Sequence, residues 1–182
     1  MTGDAPWLVL GLGNPGAQYA GNRHNIGFMT VDVLADRAGA SFKAHKARAD
    51  VAETRIAGQR CVLAKARVFM NESGGPAAGL TKFFKVPLDQ LVVIHDELDL
   101  EPDVIRLKLG GGDNGHNGLK SLRASLGSGE FNRVRLGIGR PPGRQDPADF
   151  VLRDFPASAR ADVGVQVERA ADAVELLLAQ GL

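Results

Sequence analysis

Short aliphatic runs alternate along this chain with segments whose apolar residues recur at helical spacing, and that alternation restricts the fold more than any other feature. Trp7-Leu-Val-Leu10 reads as a buried strand ended by Gly11, and Ile26 to Ala38 as a helix. Asp50 to Ile56 and Gln59 to Ala66 read as two strands hinged at Gly58, a hairpin. Asn71 or Ser73 is placed to cap a helix reaching about Lys85, with Pro76 in its first turn and Pro87 beyond its end. Leu91-Val-Val-Ile94 is a buried strand leading into His95-Asp-Glu-Leu-Asp99, and Val104 to Leu109 alternates like a strand before Gly110-Gly-Gly112. Gly118 to Leu126 predicts a helix, Arg133 to Ile138 a strand, and Ala159 to Leu178 a closing amphipathic helix. Arg140 to Pro147 is expected to be a loop. The result is an α/β fold, a three-layer sandwich of one twisted sheet flanked by helices, and the hairpin makes that sheet mixed. With neither repeat nor linker, residues 1–182 are expected to form a single domain.

Composition narrows the function. Aromatic residues are 5% against 44% hydrophobic, so the core is expected to be aliphatic and base-stacking platforms few. Cys61, alone of its kind, lies in a strand-like run and fits a buried thiol in a reducing, cytoplasmic setting. The start Met1-Thr-Gly-Asp4 has neither a basic opening nor a long apolar stretch, so a soluble, unexported protein without a membrane segment is expected. A net charge of +1 gives little whole-surface attraction for a polyanion. Its distribution is uneven: residues 104–144 hold eight Lys or Arg against two acids, and 145–182 hold three against seven. That permits a basic face, or simply solvated charges.

The loops after the apolar runs carry the candidate chemistry. Gly11-Leu-Gly13-Asn-Pro-Gly16 matches the dinucleotide pattern, but a nicotinamide unit needs its helix to start at the glycines and an acid at the end of the second strand. Neither condition is met, and a plain tight turn is the alternative. His24, in Arg23-His-Asn25, can act as a general base or be an ordinary surface residue. Asp96, just past a buried strand, is placed to orient it, as in a triad lacking its serine, so the attacking group would be water. His95 competes for the base role, its direction left open by alternation. Asn14, Asn71 and Asn117 stand at three strand-to-helix junctions, where they could grip an ester and its oxyanion or merely cap helices. Scattered histidines and a solitary cysteine argue against a metal site.

Taken in order, GLGNPG with Tyr19 and RHNIG, then FMNESG, HDELDL, GGGDNGHNGLKSL and RVRLGIGRP resemble the bacterial-type peptidyl-tRNA hydrolases over nearly the whole chain. The resemblance implies a monomeric enzyme, without cofactor or metal, that cleaves the ester between a peptide and the terminal ribose of tRNA and so recycles tRNA. It implies that His24 activates water, Asp96 orients it, and Asn14 and Asn71 shape the pocket. Asn117 would hold substrate and water, while Tyr19, Met70 and His116 line the cleft. Lys108 and Arg135 would clamp the tRNA 5′ phosphate, a contact that positions without reading sequence. Asn22 and Val68 stand where threonines are usual. The sparse positive charge of the closing helix and the end at Leu182 put a C-terminal tRNA contact in question. A non-catalytic RNA-binding protein would account for the basic stretch but not for His24 and Asp96.

Overall fold

The computed structural model describes residues 5–181, so Met1 to Asp4 and Leu182, on which the expectations about both ends of the chain rest, lie outside it. The elements run β1 (Trp7–Gly11), α1 (Ile26–Ala38), β2 (Lys43–His45), β3 (Ala49–Ile56), β4 (Gln59–Ala66) and α2 (Gly74–Phe84). They continue β5 (Leu91–Glu97), β6 (Ile105–Leu109), α3 (Asn117–Leu126), β7 (Asn132–Gly137), α4 (Pro147–Val151) and α5 (Arg160–Gln180). One seven-stranded sheet has the order β2-β3-β4-β1-β5-β7-β6. The four inner strands, β4, β1, β5 and β7, are parallel, while β2, β3 and β6 pair antiparallel at the two edges. This is the mixed, helix-flanked sheet the sequence predicts.

Side-chain alternation explains why the inner strands read as unbroken apolar runs: both faces are covered. Val9, Leu63, Val92, Ile94, Val134 and Leu136 pack with Val31 and Leu34 of α1 and with Val167, Val174 and Leu177 of α5. Leu8, Leu10, Val62, Ala64, Leu91 and Val93 face the other way, onto Leu80 of α2 and Leu119 and Leu122 of α3. Among the described residues no helix is long and apolar enough to cross a membrane.

Several boundaries differ from the sequence reading. β5 extends through Glu97, so His95 and Asp96 are strand residues, held by pairing with Arg135 and Leu136 of β7. Backbone hydrogen bonds to a neighbouring strand carry the element past the point where its hydrophobicity stops. Neither Asn71 nor Ser73 caps α2 through its side chain; Ser73 Oγ instead donates back to the Met70 carbonyl. β2 and α4 were not anticipated: one is a three-residue edge strand, and the other is five residues started by Pro147 behind the Asp146 cap.

The glycine pattern at 11–16 serves packing. No helix starts there: three-residue helical turns at Ala17–Tyr19 and Arg23–Asn25 intervene before α1. A Cβ on Gly11 would lie 2.4 Å from the Gly27 carbonyl oxygen, and one on Gly27 would lie 2.3 Å from that of Ile94. These two residues let α1 settle directly onto β1 and β5, which brings the turn holding His24 down to the end of β5.

Candidate active site

Period-two alternation decides the directions of the β5 residues. Asp96 follows Val92 and Ile94 toward α1, and His95 follows Leu91 and Val93 toward α3. Asp96 therefore meets His24 at the start of α1, with His24 Nδ1 2.7 Å from Asp96 Oδ2, and both side chains are buried. Its second oxygen, Oδ1, lies 2.7 Å from His116 Nε2. His116 is the cap of α3: its Nδ1 accepts from the backbone N–H groups of Gly118 and Leu119. That cap fixes the tautomer, since a neutral ring that accepts at Nδ1 must carry its proton at Nε2 and donate it to Asp96. Of the two readings open for Asn117, the capping one is excluded: Asn117 is the first helical residue, and His116, expected only to line the cleft, is the cap and holds Asp96 as well.

The carboxylate is fully engaged. Burial alone would raise the Asp96 pKa, but the two imidazoles and their hydrogen bonds outweigh it and hold the group well below the usual carboxylate range. For His24, burial works against the charged form, yet attraction and the hydrogen bond to Asp96 prevail, leaving its pKa raised. With Nδ1–H donated to Asp96, Nε2 is the nitrogen left to accept a proton. His95 is a different kind of residue: burial above all, with the neighbouring His116 and Arg133 working the same way, pushes its pKa down to about 3, and its Nε2 has no hydrogen-bond partner.

His24, Asp96 and His116 also form the one potential metal-ligating group among the described residues, their ligand atoms within 4.8 Å of one another. The donor set fits a cation poorly. An ion on His116 Nε2 would have to displace the proton that the α3 cap places there. The trio is arranged to hold protons.

A cavity of about 120 Å³ opens over these groups, lined by His24, Asp96, His116, Asn117, Asn114 and one face of α4, among others. The wall formed by α4 is tied to the histidine turn. Arg23 Nη1 donates to the carbonyls of Phe150, Arg153 and Asp154, and its guanidinium lies 4.0 Å from the Phe150 ring centroid. Asn22 donates from Nδ2 to Asp154 Oδ1 at 2.6 Å. The side chain at that position thus anchors the segment after α4.

Asn14 is buried, lines a neighbouring hollow with Asn25, Phe28, Lys65 and Arg67, and is not a helix cap. Its Oδ1 accepts from Met70 N–H at 2.6 Å, and its backbone N–H and C=O are matched by the Asn25 side chain, both at 2.9 Å. The amide oxygen being committed, the amide nitrogen is the group Asn14 can offer a substrate. Met70 is buried among the residues beneath α3, and a Cβ on Gly118 would meet its Sδ. Asn71 is exposed on the turn Met70–Glu72, and Tyr19 packs edge-on to exposed Phe69, centroids 6.2 Å apart. Lys108 and Arg135 meet in a separate hollow of about 360 Å³ with His95 and Arg133. It shares Glu97 and Asn114 with the first cavity. Arg135 is held by Glu97 at 3.2 Å. Asn25, Asn114 and Arg23 were not assigned roles from sequence; a side chain whose work is to bond distant backbone leaves no local pattern to read.

The fold and site define a class: an α/β enzyme whose buried carboxylate orients a histidine at a cleft beyond the ends of parallel strands. The sequence family described as peptidyl-tRNA hydrolase matches residues 8–182, and the chain belongs to that family. A peptidyl-tRNA hydrolase of Frankia casuarinae is 61% identical over 181 residues, covering 100% of this chain and 92% of the relative. That of Streptomyces coelicolor is 60% identical, covering 98% and 92%. The crystal structure of peptidyl-tRNA hydrolase from Acinetobacter baumannii superposes with a TM-score of 0.89 at 36% identity, over 97% of this chain and 89% of that one.

Proposed function

We propose that the protein hydrolyses peptidyl-tRNA at the ester joining peptide to terminal ribose, with His24 as general base. The observation that carries this is the His24–Asp96 hydrogen bond, which leaves Nε2 free beside the cavity. Water gives a proton to His24 Nε2 as its oxygen attacks the ester carbonyl. The resulting oxyanion is read as met by amide N–H groups of Asn14, whose Oδ1 is committed to Met70 N–H, and of Asn71 and Asn117. The tetrahedral intermediate collapses, the bond to the ribose oxygen breaks, and His24 returns its proton to that oxygen. Free tRNA and free peptide leave. Proton and electron balance close on water and imidazole, so neither cofactor nor metal is invoked.

Lys108 and Arg135 are read as the phosphate clamp, and Tyr19, Met70 and His116 as residues shaping the cleft. One chain supplies every group named, so a monomer suffices. The cytoplasm is where such a substrate arises. The test is release of labelled peptide from peptidyl-tRNA by the purified protein and by His24→Ala. Turnover is expected to fall about 100- to 10,000-fold, the usual worth of a general base, with tRNA affinity retained. Full activity of the variant would exclude His24 as the base.

A further inference from the structure

Positive charge without an ion pair is not confined to the stretch where the sequence concentrates it, half of whose eight cations are already engaged. Within 104–144, Arg123 pairs with Asp113, Arg135 with Glu97 and Arg140 with Asp99, and Arg133 is spent on the carbonyls of Gly111, Gly112 and Gly129. At the opposite edge of the sheet, Lys43, Lys46, Arg48, Lys82 and Lys85 are exposed, and among the described residues none of them forms an ion pair.

These five converge on one surface. The turn between β2 and β3 lies along α2: a Cβ on Gly75 would meet the Arg48 guanidinium, and one on Gly79 would meet Ala47. Phe83, near the end of α2, packs edge-on to His45 with centroids 4.6 Å apart, and Lys46 Nζ sits 5.1 Å from its ring centroid. Lys43 shares His45's face of β2 by alternation, Lys82 directly precedes Phe83, and Lys85 caps the end of α2 two residues after it. Phe83 is 51% exposed, a large apolar ring left in water amid cations. The surface also reaches toward the end of the sheet that holds the cleft. Arg67 follows β4, hydrogen-bonds through its N–H to the Arg48 carbonyl, and precedes the turn that begins at Met70. Strand directions put this turn at the same end of the sheet as Asp96.

We propose that this basic surface with its exposed phenylalanine is a second RNA-contact surface, which binds the tRNA portion of the substrate through phosphates and one stacked base, apart from the Lys108–Arg135 hollow. Unpaired lysines and arginines neutralise phosphates without reading sequence. An exposed ring among cations is what a single-stranded nucleotide stacks on. An acidic protein surface would satisfy the cations but give the ring no planar partner. The proposal rests on the reading of peptidyl-tRNA as substrate and adds to it where the RNA lies.

The test uses full-length protein and three variants, Lys82→Glu, Lys85→Glu and their double, together with Phe83→Ala, checked for unchanged thermal unfolding. Equilibrium binding of deacylated tRNA is measured across a salt series. The double variant is expected to bind roughly tenfold more weakly at 0.1 M salt, with the slope of log K on log salt flattened by about 2. Phe83→Ala is expected to weaken binding with the slope unchanged. The KM for peptidyl-tRNA should rise in parallel, whereas kcat/KM for a peptidyl ester of a short CCA oligonucleotide should stay within twofold. Unchanged tRNA affinity and slope would overturn the surface, and so would a loss that follows the acidity of the peptide instead of the presence of the tRNA. Failure of the wild-type protein to cleave peptidyl-tRNA at all would instead fault the activity reading.

Discussion

Asp96 receives two imidazole hydrogen bonds on its two oxygens, and that sharing sets the behaviour of His24. With Asp96 ionised, attraction overcomes burial and the His24 pKa stands above its ordinary value. Only neutral His24 can act as a base, so kcat/KM should rise with pH to a plateau above that raised pKa. Replacing Asp96 by Asn removes the attraction and leaves burial in place, so the acid limb should move to lower pH. The plateau should drop at least about 100-fold, because an amide that can donate no longer enforces the tautomer with its proton on Nδ1. A pH–rate series on both proteins checks this, and an unmoved acid limb would mean that Asp96 does not set the His24 pKa. The sequence makes His24 and Asp96 visible as polar residues beyond apolar runs. It does not reveal His116 as a second partner of the carboxylate, because that contact depends on a histidine cap joining residues 20 positions apart with β6 between them.

At the scale of elements, the catalytic contact depends on how closely α1 lies against the sheet. Gly27 faces the Ile94 carbonyl and the backbone of Leu12, and a methyl group there would lie 2.3 and 2.8 Å from these atoms, none of which belongs to a flexible side chain. Gly27→Ala should therefore push α1 outward, costing about 1–3 kcal/mol of stability, and lower turnover by stretching the His24–Asp96 contact. Gly164, exposed in α5 with open space around it, is the control: Gly164→Ala should stabilise by about 0.5–1 kcal/mol, the ordinary helix-propensity gain, with activity unaltered. Urea unfolding of the pair measures both, and equal stability changes would remove the close-approach argument. Elements were legible where burial set the pattern: α1 and the β3–β4 hairpin fall almost where periodicity places them. They were not legible where backbone pairing or a lone cap governs. β5 continues through polar His95 to Glu97 because β7 holds it, and α4 is too short to show a period.

For the molecule as a whole, the buried histidines tie stability to pH with opposite signs. His95 is kept neutral to about pH 3 when folded, while an unfolded histidine takes up its proton near 6.5. Between these values the unfolded chain binds one proton more, so stability is present above pH 6.5 and is lost as pH falls toward 3, at about 1.4 kcal/mol per pH unit. His24 acts the other way. Its raised pKa makes the folded state hold a proton above 6.5 that the unfolded chain has released, so its contribution is full below 6.5 and is lost as pH rises through the folded value. Asp96, depressed, contributes fully above the ordinary carboxylate pKa and loses that contribution only in stronger acid. Taken together the three place maximal stability near pH 6.5, and from pH 6.5 to 5 the loss belongs to His95 alone. Urea unfolding at half-unit steps over that interval should show the slope in the native protein, and His95→Phe should remove most of it. Phenylalanine keeps a ring of similar size; it deletes the unpartnered Nε2 and also the Nδ1 contact with the Asp96 carbonyl, a loss that lowers stability equally at every pH of the interval and leaves the slope as the readout. A native protein whose stability is flat from pH 5 to 6.5 would mean that His95 takes up its proton as readily in the fold as in the open chain.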